Sequence, residues 1–575
     1  MAISEVREHG FAPWARAWPA TIALVGIVLV ARLVYLAAFS PYALIEDEAF
    51  YWLWSQHPAW SYYTKGPGIA LTIGASTSVL GNTEFGVRAL APVFAAALSL
   101  AAAAMARDVT RDGRAGFCAA VLVTLAPGLA VAPLLMTIDV PYMACWALAA
   151  WSAWHAIDPE ARRGRARWWM LCGAALGAGF LFKYTILLLL PGIMLGAWVA
   201  RRHARASGGE ASGENAPARH TLGLALGAVL LLACMTPVVV WNVQHEWPTL
   251  RHLLGHLGMS GGDMTPSGSG GWRYDPRWTL EFVGIQIALA GPALLLVPLA
   301  MRRGASRDAR ERAGRWFLLC CAMPIVVFYL LVTLKAEAEG NWALGALCTL
   351  LPLGGIAARD GLDARRASLR AWLAMPVGGR PKWGKLRKRP ESWGQILWDW
   401  SVGVGLVVTL VGARIDLLAR VPVVGERVPI GRLVVGRTVA GDVAPLVERV
   451  AHESNGTVLV ISQHYGRAAQ LAFYLPGELA RRGVPRDAFA LLCGSSRLGG
   501  RTTDFDFWPE TDVDDPRWLG RDGVCLGATT GQWREVFERV EDIGPLPGDH
   551  KKRTAVIGRG FEGFRPSAIA REGAR

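Results

Sequence analysis

The first long apolar stretch of the chain is followed by three consecutive acids, Glu46, Asp47 and Glu48. A further acid, Asp139, stands alone in the short segment MTIDVP between two apolar stretches. Lysines occupy comparable places at the ends of apolar stretches, at Lys65, Lys183 and Lys335. Charges in apolar surroundings are costly unless they pair or carry out chemistry. Carboxylates can accept a proton from an attacking hydroxyl, and lysines can stabilise a departing phosphate.

Structural explanations exist for the same residues. A cluster of acids beside an apolar segment is often a solvated loop, and Lys183 could extend along an apolar surface to reach water. The spacing of the histidines His57, His245, His252 and His256 matches no zinc pattern. A glycine-rich phosphate loop is missing from the sequence, which argues against a nucleotide-driven pump.

The elements that must position these charges are apolar blocks. Of the 575 residues, 52% are hydrophobic and only 18% are charged. The apolar residues come in blocks of about 15–20, the length of membrane spans. We predict eleven spans, at 21–39, 89–106, 115–135, 142–157, 168–182, 185–200, 221–240, 279–300, 316–334, 342–357 and 399–418. This pattern excludes a soluble enzyme, a disordered protein and a disulfide scaffold.

The net charge of +14 is distributed in a way that indicates topology rather than nucleic-acid binding. Alternate connections between the predicted spans carry 27 Lys and Arg residues on one side and seven on the other. The positive-inside rule places the basic side, and with it the N-terminus, in the cytoplasm. The acids and lysines named above then converge at the outer face, and the C-terminus also lies outside. We therefore expect no nucleic-acid partner.

The composition changes after residue 419. The segment 420–575 has 22 Lys and Arg against 20 Asp and Glu, with no apolar run long enough to span a membrane. A helical pattern at 443–454, an apolar run at 457–462 and a second helical pattern at 466–475 predict a small α/β domain. We predict a transmembrane domain over 1–420 and an extracytoplasmic domain over 421–575. Outside the cell Cys493 and Cys525 could form a disulfide, and the sequence leaves that pairing open.

Several motifs carry a family resemblance. They are DEAFYW (47–52), SYYTKGP (61–67), MTIDVP (136–141), FLFKYT (180–185), PVVVWNVQHEWPTL (237–250), EGNW (339–342), QLAFYLPG (470–477) and TDFDFWP (503–509). In this order they resemble the bacterial glycosyltransferase family 39, or ArnT-like proteins, which are polyprenyl-phosphate-sugar-dependent transferases of the GT-C fold. The resemblance implies a mainly α polytopic membrane protein with about eleven transmembrane helices and the small C-terminal α/β domain.

The resemblance also assigns residues. It implies that Asp47 is catalytic, with Glu48 beside it and Asp139 as the second acid. Lys65 and Lys183 match lysines on the side of the lipid phosphate. Further candidates within the motifs or next to them are Glu46, Tyr63, Glu339 and Asn341. Aminoarabinose transferases of this family often have Arg three residues after the catalytic Asp, where this chain has Phe50.

The implied activity is transfer of a sugar from a polyprenyl-phosphate donor to an extracytoplasmic acceptor, such as lipid A or another envelope glycan or lipid, by single displacement. The expected location is the bacterial inner membrane, with the C-terminal domain in the periplasm. No cofactor is firmly expected; the carboxylates would suit a divalent metal, but the lysines already supply positive charge. The alternatives are a transporter or lipid flippase, a non-catalytic scaffold, and a protein acceptor as in protein O-mannosyltransferases.

Overall fold

A computed structural model describes residues 17–158, 160, 164–206, 216–257, 259, 261–263, 274–302, 306, 308–374, 393–422, 428, 430–454, 456–549 and 553–564. The chain divides into two compact units. The first unit comprises Met1–Phe39, Lys65–Ile69 and Arg88–Ala413. The second unit comprises Ser40–Thr64, Ala70–Val87 and Arg414–Arg575.

Helices dominate the first 420 residues. They are α1 (Ala17–Ala38), α2 (Glu46–Gln56), α3 (Gly68–Leu80), α4 (Glu84–Arg88), α5 (Leu90–Thr110), α6 (Gly113–Leu125), α7 (Pro127–Val131), α8 (Asp139–Ile157), α9 (Arg165–Phe182), α10 (Leu189–Ala206), α11 (Ala216–Gln244), α12 (Pro248–His256), α13 (Pro276–Ala290), α14 (Leu296–Ala300), α15 (Ala309–Val332), α16 (Leu347–Ala374), α17 (Trp393–Ala413) and α18 (Ile415–Leu418).

Each of the eleven predicted spans corresponds to a helical segment, which confirms a mainly α, multi-pass membrane protein. Within the described residues, eight helices are long and apolar enough to cross a membrane, or nine if α6 and the segment after it form one span. That pair bends by 72°. The apolar stretch of α8 is interrupted by Tyr, Trp and His residues. The apolar stretch of α9 is interrupted by Arg and Trp residues. The predicted number of about eleven spans is therefore not confirmed.

Small residues let the helices of the first unit approach closely. A Cβ atom at Gly173 of α9 would lie 2.0 Å from the carbonyl oxygen of Gly227 on α11. A Cβ atom at Gly355 of α16 would lie 2.6 Å from the backbone nitrogen of Ala119 on α6. In lipid, helices associate by such packing because burial from water contributes nothing between them.

The second unit contains a five-stranded sheet. Its strands are β1 (Val458–Ser462), β2 (Phe489–Cys493), β3 (Gly523–Leu526), β4 (Phe537–Pro545) and β5 (Thr554–Phe561), in the order β2-β1-β3-β5-β4. Strand β1 is parallel to β2 and β3, while β5 is antiparallel to β3 and β4. The helices of this region are α19 (Gly431–Glu453), α20 (Tyr465–Arg481) and α21 (Thr530–Arg534).

The alternation of side chains along β1 builds two cores. Val458 and Val460 pack with apolar residues of α19 and α20. Leu459 and Ile461 point to the opposite face, into a cluster that includes Trp533. The helix, strand and helix predicted from 443–475 are present as α19, β1 and α20, so the predicted C-terminal α/β fold is confirmed.

The disulfide between Cys493 and Cys525, which the sequence left open, is absent from the structure. Both cysteines are buried and free. Cys493 ends β2 and Cys525 lies in β3, and β1 runs between these strands. Two strand spacings place the Cα atoms about 10 Å apart, whereas a disulfide requires less than about 7 Å.

Candidate functional site

The three consecutive acids form the first turn of α2, and each has a different environment. Glu48 is fully buried, and its Oε2 accepts a hydrogen bond from the Ile45 N–H at 3.1 Å. This reciprocal bond satisfies one of the N–H groups that a helix start leaves unpaired, and the negative charges suit the helix dipole. Asp47 is exposed. Glu48 therefore has a structural role at the helix start, while Asp47 faces outward.

Glu46 faces a group of cations from the C-terminal part of the chain. Its Oε1 lies 3.8 Å from Arg467 Nη2 and 3.8 Å from Arg553 Nη1. Its Oε2 lies 3.7 Å from His464 Nδ1. Arg467 is itself almost fully buried and is held by Asp549, whose Oδ2 accepts its Nη2–H at 3.3 Å. The carboxylate of Glu46 is thus engaged in ion pairs at the base of α2.

The segment before α2 is hydrogen bonded to α19 and α20. The Ala43 N–H donates to the carbonyl of Leu433 at 2.8 Å. The Leu44 N–H donates to Tyr474 Oη at 2.7 Å, and the Leu44 carbonyl accepts from Gln470 Nε2 at 2.9 Å. These bonds explain why residues 40–64 belong to the same compact unit as the C-terminal sheet.

Aromatic packing fixes the next turn of α2. The ring of Phe50 lies 4.8 Å from the ring of Tyr465 and stacks on Phe505 at 5.8 Å. Position 50 is therefore part of an apolar contact in this chain. Burial raises the pKa of Tyr465 to about 12, and the nearby carboxylate of Asp47 acts in the same direction. Arg501 lies over the Tyr465 ring, 5.0 Å from its centre.

Tyr63 is buried and is positioned by the closing motif TDFDFWP. Its backbone N–H donates to Asp504 Oδ1 at 2.8 Å. Burial raises the pKa of the Asp504 carboxyl to about 7, although the hydrogen bond from Tyr63 favours the ionised form. The motif thus contributes an acceptor for the loop that leads toward Lys65.

A second group of predicted residues comes together in the first unit. Lys183 Nζ donates to Asp139 Oδ1 at 2.8 Å and to the Asn341 carbonyl at 3.3 Å. Asn341 Nδ2 donates to the other oxygen of Asp139 at 3.0 Å. Asp139 and Lys183 are each only 7% exposed. Asp139 therefore orients Lys183, whose ammonium group has a third N–H bond for which no described residue is the acceptor.

Lys65 belongs to a turn that packs on the segment carrying Lys183. A Cβ atom at Gly66 would lie 2.6 Å from the Leu181 carbonyl oxygen, and one at Gly68 would lie 2.9 Å from it. Only glycine allows this approach. The turn that contains the half-buried Lys65 therefore packs against the backbone of Leu181, two residues before Lys183. The two predicted phosphate-binding lysines thus lie on neighbouring segments.

Glu339 is not part of the Asp139 cluster. It is exposed at the start of the turn Gly340–Ala346, and its side chain has no hydrogen bond or ion pair with described residues. Lys335 is exposed as well.

Contacts beyond the predicted residues also support this cluster. His256 packs edge-on against Trp342, next to Asn341, and its Nε2 lies 2.9 Å from His252 Nε2. His252 Nδ1 lies 3.0 Å from Asp263 Oδ2. Both histidines were considered from the sequence only as zinc ligands, and the contact between them was not predicted. The available signal was the spacing of four residues, which places both on one side of α12.

The contacts of α2 and of the segment before it with the C-terminal part of the chain could not be predicted from the sequence. The motif QLAFYLPG contains Gln470 and Tyr474, but nothing local links them to residue 44. Arg467 and Arg553 lie outside the motifs altogether. Among the residues that the structure describes, no group of three or more His, Cys, Asp or Glu side chains could hold a metal ion.

Comparison with known proteins adds relatives in sequence. Residues 64–241 match the family described as dolichyl-phosphate-mannose-protein mannosyltransferase. The lipid A galacturonosyltransferase RgtD of Rhizobium johnstonii is 29% identical over 313 residues, 52% of this chain and 57% of that protein. The undecaprenyl phosphate-alpha-4-amino-4-deoxy-L-arabinose arabinosyl transferase of Pseudomonas aeruginosa is 32% identical over 180 residues, 29% of this chain and 32% of that protein. The chain thus aligns with little more than half of the first relative and a third of the second.

The fold has a solved counterpart. The crystal structure of ArnT from Cupriavidus metallidurans bound to undecaprenyl phosphate superposes with a TM-score of 0.59. The match covers 94% of this chain and 98% of that one at 15% sequence identity, so it establishes the fold alone. Together with the sequence relatives, it confirms the predicted resemblance to ArnT-like proteins, and the chain has the fold of ArnT.

Proposed function

We propose that this chain is an integral-membrane glycosyltransferase that moves a sugar from a polyprenyl-phosphate donor to lipid A or a related envelope acceptor. The proposal is supported by the names of the relatives, which act on lipid A or use an undecaprenyl-phosphate sugar. The protein mannosyltransferase description of the matched family makes a protein the alternative acceptor.

The observation that carries the proposal is the contrast among the three acids of α2. Glu48 is buried and accepts a backbone hydrogen bond, and Glu46 is half-buried beside arginines. Asp47 is the exposed acid of the three. An exposed carboxylate at a helix start, between a half-buried and a buried neighbour, is well placed to accept a proton from a substrate.

The reaction is a single displacement. A hydroxyl of the acceptor attacks the anomeric carbon of the donor sugar, and its proton passes to the Asp47 carboxylate. The bond from that carbon to the phosphate oxygen breaks as the new bond forms, and its electron pair leaves with the polyprenyl phosphate. One displacement inverts the anomeric carbon. If the acceptor is a phosphate, Asp47 orients it instead of deprotonating it.

The lysines stabilise the leaving group. Lys183 directs its remaining N–H bond to the lipid phosphate, because Asp139 and Asn341 hold its other two. Lys65 supplies a second charge from the neighbouring turn. Charges fixed where negative charge develops lower the barrier without reorganisation. Because the lysines neutralise the phosphate, we propose a reaction that requires no metal.

The proposed location is the bacterial inner membrane, with the N-terminus in the cytoplasm and the sheet domain in the periplasm. The excess of Lys and Arg in alternate connections supports this orientation. Labelling of single introduced cysteines with an impermeant reagent in intact spheroplasts tests it. Labelling at Asp487→Cys in the sheet domain is expected, and its protection until lysis would contradict the orientation.

The direct test of function uses the purified full-length protein with radiolabelled polyprenyl-phosphate sugars, including galacturonic acid and 4-amino-4-deoxyarabinose. Lipid A, envelope extract and unmodified protein serve as acceptors. Transfer of label to lipid A is the expected result. Transfer only to protein would replace the acceptor, and no loss of label from any donor would favour a transporter or flippase.

A further inference from the structure

The carboxyl ends of β1 and β3 lie at the position where ligands bind in many open α/β sheets. The chain leaves β1 through α20 to reach β2 on one side, while β3 lies on the other side. In open α/β sheets the point where the connections diverge in this way is the usual ligand site, at the start of the following helix. In this protein the side chain of Glu46 lies at the start of α20, where such sheets usually bind a ligand.

The contact between Glu46 and α20 is close enough to require glycine. A Cβ atom at Gly466 would lie 2.5 Å from the Cβ of Glu46 and 3.0 Å from its Cγ. Real Cβ atoms do not approach so closely, so any side chain at position 466 would displace Glu46. The first turn of α2 is thereby seated directly on the first turn of α20.

The positive charges around Glu46 are stabilised by a nearby anion. Arg467 is 1% exposed, and Arg553 lies close enough for its positive charge to act on Arg467. Burial is the main cause that lowers the pKa of Arg467, and Arg553 adds to it, while Asp549 opposes both. Two cations in one buried place destabilise each other unless an anion lies between them. Glu46 Oε1 lies 3.8 Å from a guanidinium nitrogen of each.

We propose that Glu46, Gly466, Arg467 and Arg553 form a positioning seat that fixes the first turn of α2, and with it the side chain of Asp47. The inference rests on the proposed catalytic role of Asp47. The sheet domain thus uses the edge at the carboxyl ends of β1 and β3 to hold the catalytic helix in place. Glu46 acts through Asp47 and does not itself take part in proton transfer.

The test separates positioning from charge. Gly466→Ala leaves every charge in place but removes the space for Glu46, whereas Glu46→Gln keeps the shape and removes the charge. Glu541→Gln, on the exposed strand β4 of the same domain, is the matched control. Each full-length variant is purified and measured for kcat, donor KM, the pH profile of kcat, and hydrogen exchange in residues 46–56.

Both seat variants should lower kcat roughly 10- to 100-fold, because a small misplacement of a catalytic group is that costly. Donor KM should stay as in the wild type in both variants, and the pH midpoint of kcat should stay so in Gly466→Ala, which keeps every charge. Exchange in 46–56 should rise about tenfold because the helix start opens more often. The control should change neither. Glu46→Gln is nearly isosteric, so it keeps the test informative if Gly466→Ala does not fold.

Two results would overturn the proposal. Exchange in 46–56 at the wild-type rate in both variants would show that no seat exists. Faster exchange with unchanged kcat would show that the seat does not position the catalytic group. The separate variant Asp47→Asn distinguishes a failure of the proposed function, because it leaves the exchange measurement of the seat valid.

Discussion

Lys183 and Asp139 form a buried ion pair with an Nζ to Oδ1 distance of 2.8 Å, although 44 positions separate them in the chain. Asn341 bonds both partners and completes the arrangement. Lys183 ends α9, Asp139 begins α8, and Asn341 lies in the turn before α16. The pair therefore joins three helices of the first unit and directs one lysine at the proposed phosphate site.

Breaking this pair should destabilise the protein more than removing it. Asp139→Asn leaves the Lys183 charge buried, and Lys183→Met leaves the Asp139 charge, so each should lower stability by about 3–5 kcal/mol. The double variant should recover much of that loss. Thermal unfolding in detergent measures all three. The exposed pair Arg449–Glu541, taken through the same cycle, should show almost no coupling, and equal coupling in both cycles would contradict the structural role of the buried pair.

Lys65 should affect the donor more than the fold. A hydrogen bond to a charged group contributes about 1.5–3 kcal/mol, so Lys65→Ala should lower kcat/KM for the lipid donor roughly 10- to 150-fold. The thermal midpoint should change little because the side chain is only half-buried. Arg277→Ala, an exposed basic residue of a predicted outer connection, is the control. A wild-type dependence on donor concentration in Lys65→Ala would remove this residue from the phosphate site.

The sequence predicts those elements of the structure that depend on local residue patterns. Long apolar runs predicted the helices. The apolar run at 457–462 between two helical patterns predicted α19, β1 and α20. The cluster of Asp139, Lys183 and Asn341 was accessible only as separate residues, because 202 positions lie between its first and last members. Their convergence depends on how the helices pack, which no local pattern records.

The contacts that hold α2 also join residues that are far apart in the sequence, so local patterns could not predict them. Leu44 bonds Gln470 and Tyr474 across more than 400 positions. The predicted domain boundary near residue 420 rests on a change in composition. The contact of Leu44 with α20 depends on the folded shape, which composition does not record. The pairing of Cys493 and Cys525 was left open for a related reason: the sequence does not give the order of the strands, and β1 separates the two that carry these cysteines.

Asp504 should make the stability of the sheet domain depend on pH. Its pKa is raised from 3.8 to about 7, so between these values the folded protein keeps a proton that the unfolded chain releases. Stability should therefore fall as the pH rises through this window and level off above it. Asp504→Asn keeps an oxygen for the Tyr63 N–H and should flatten the dependence.

Thermal midpoints from pH 4 to pH 8 test this expectation for Asp504→Asn against the wild type. Asp487→Asn, an exposed acid of the same domain, should leave the curve unchanged. Parallel curves for Asp504→Asn and the wild type would show that Asp504 does not keep its proton in the folded protein.

Removal of divalent metal ions should leave sugar transfer unchanged. Lys65 and Lys183 supply the positive charge that a metal would bring to the leaving phosphate. The measurement is the initial transfer rate after exhaustive EDTA treatment, with Mg²⁺ or Mn²⁺ added back to a matched sample. A rate lost on chelation and restored by the added metal would contradict the proposed lysine mechanism.

The most direct test of the account is the transfer rate of Asp47→Asn with the donor that the wild type uses. Loss of a general base lowers the rate by about 10²–10⁴-fold, and this loss is expected with normal membrane insertion and an unchanged thermal midpoint. Glu541→Gln provides the matched acid-to-amide control and should transfer at the wild-type rate. Full transfer by Asp47→Asn at normal abundance would contradict the assignment of Asp47 as the catalytic residue.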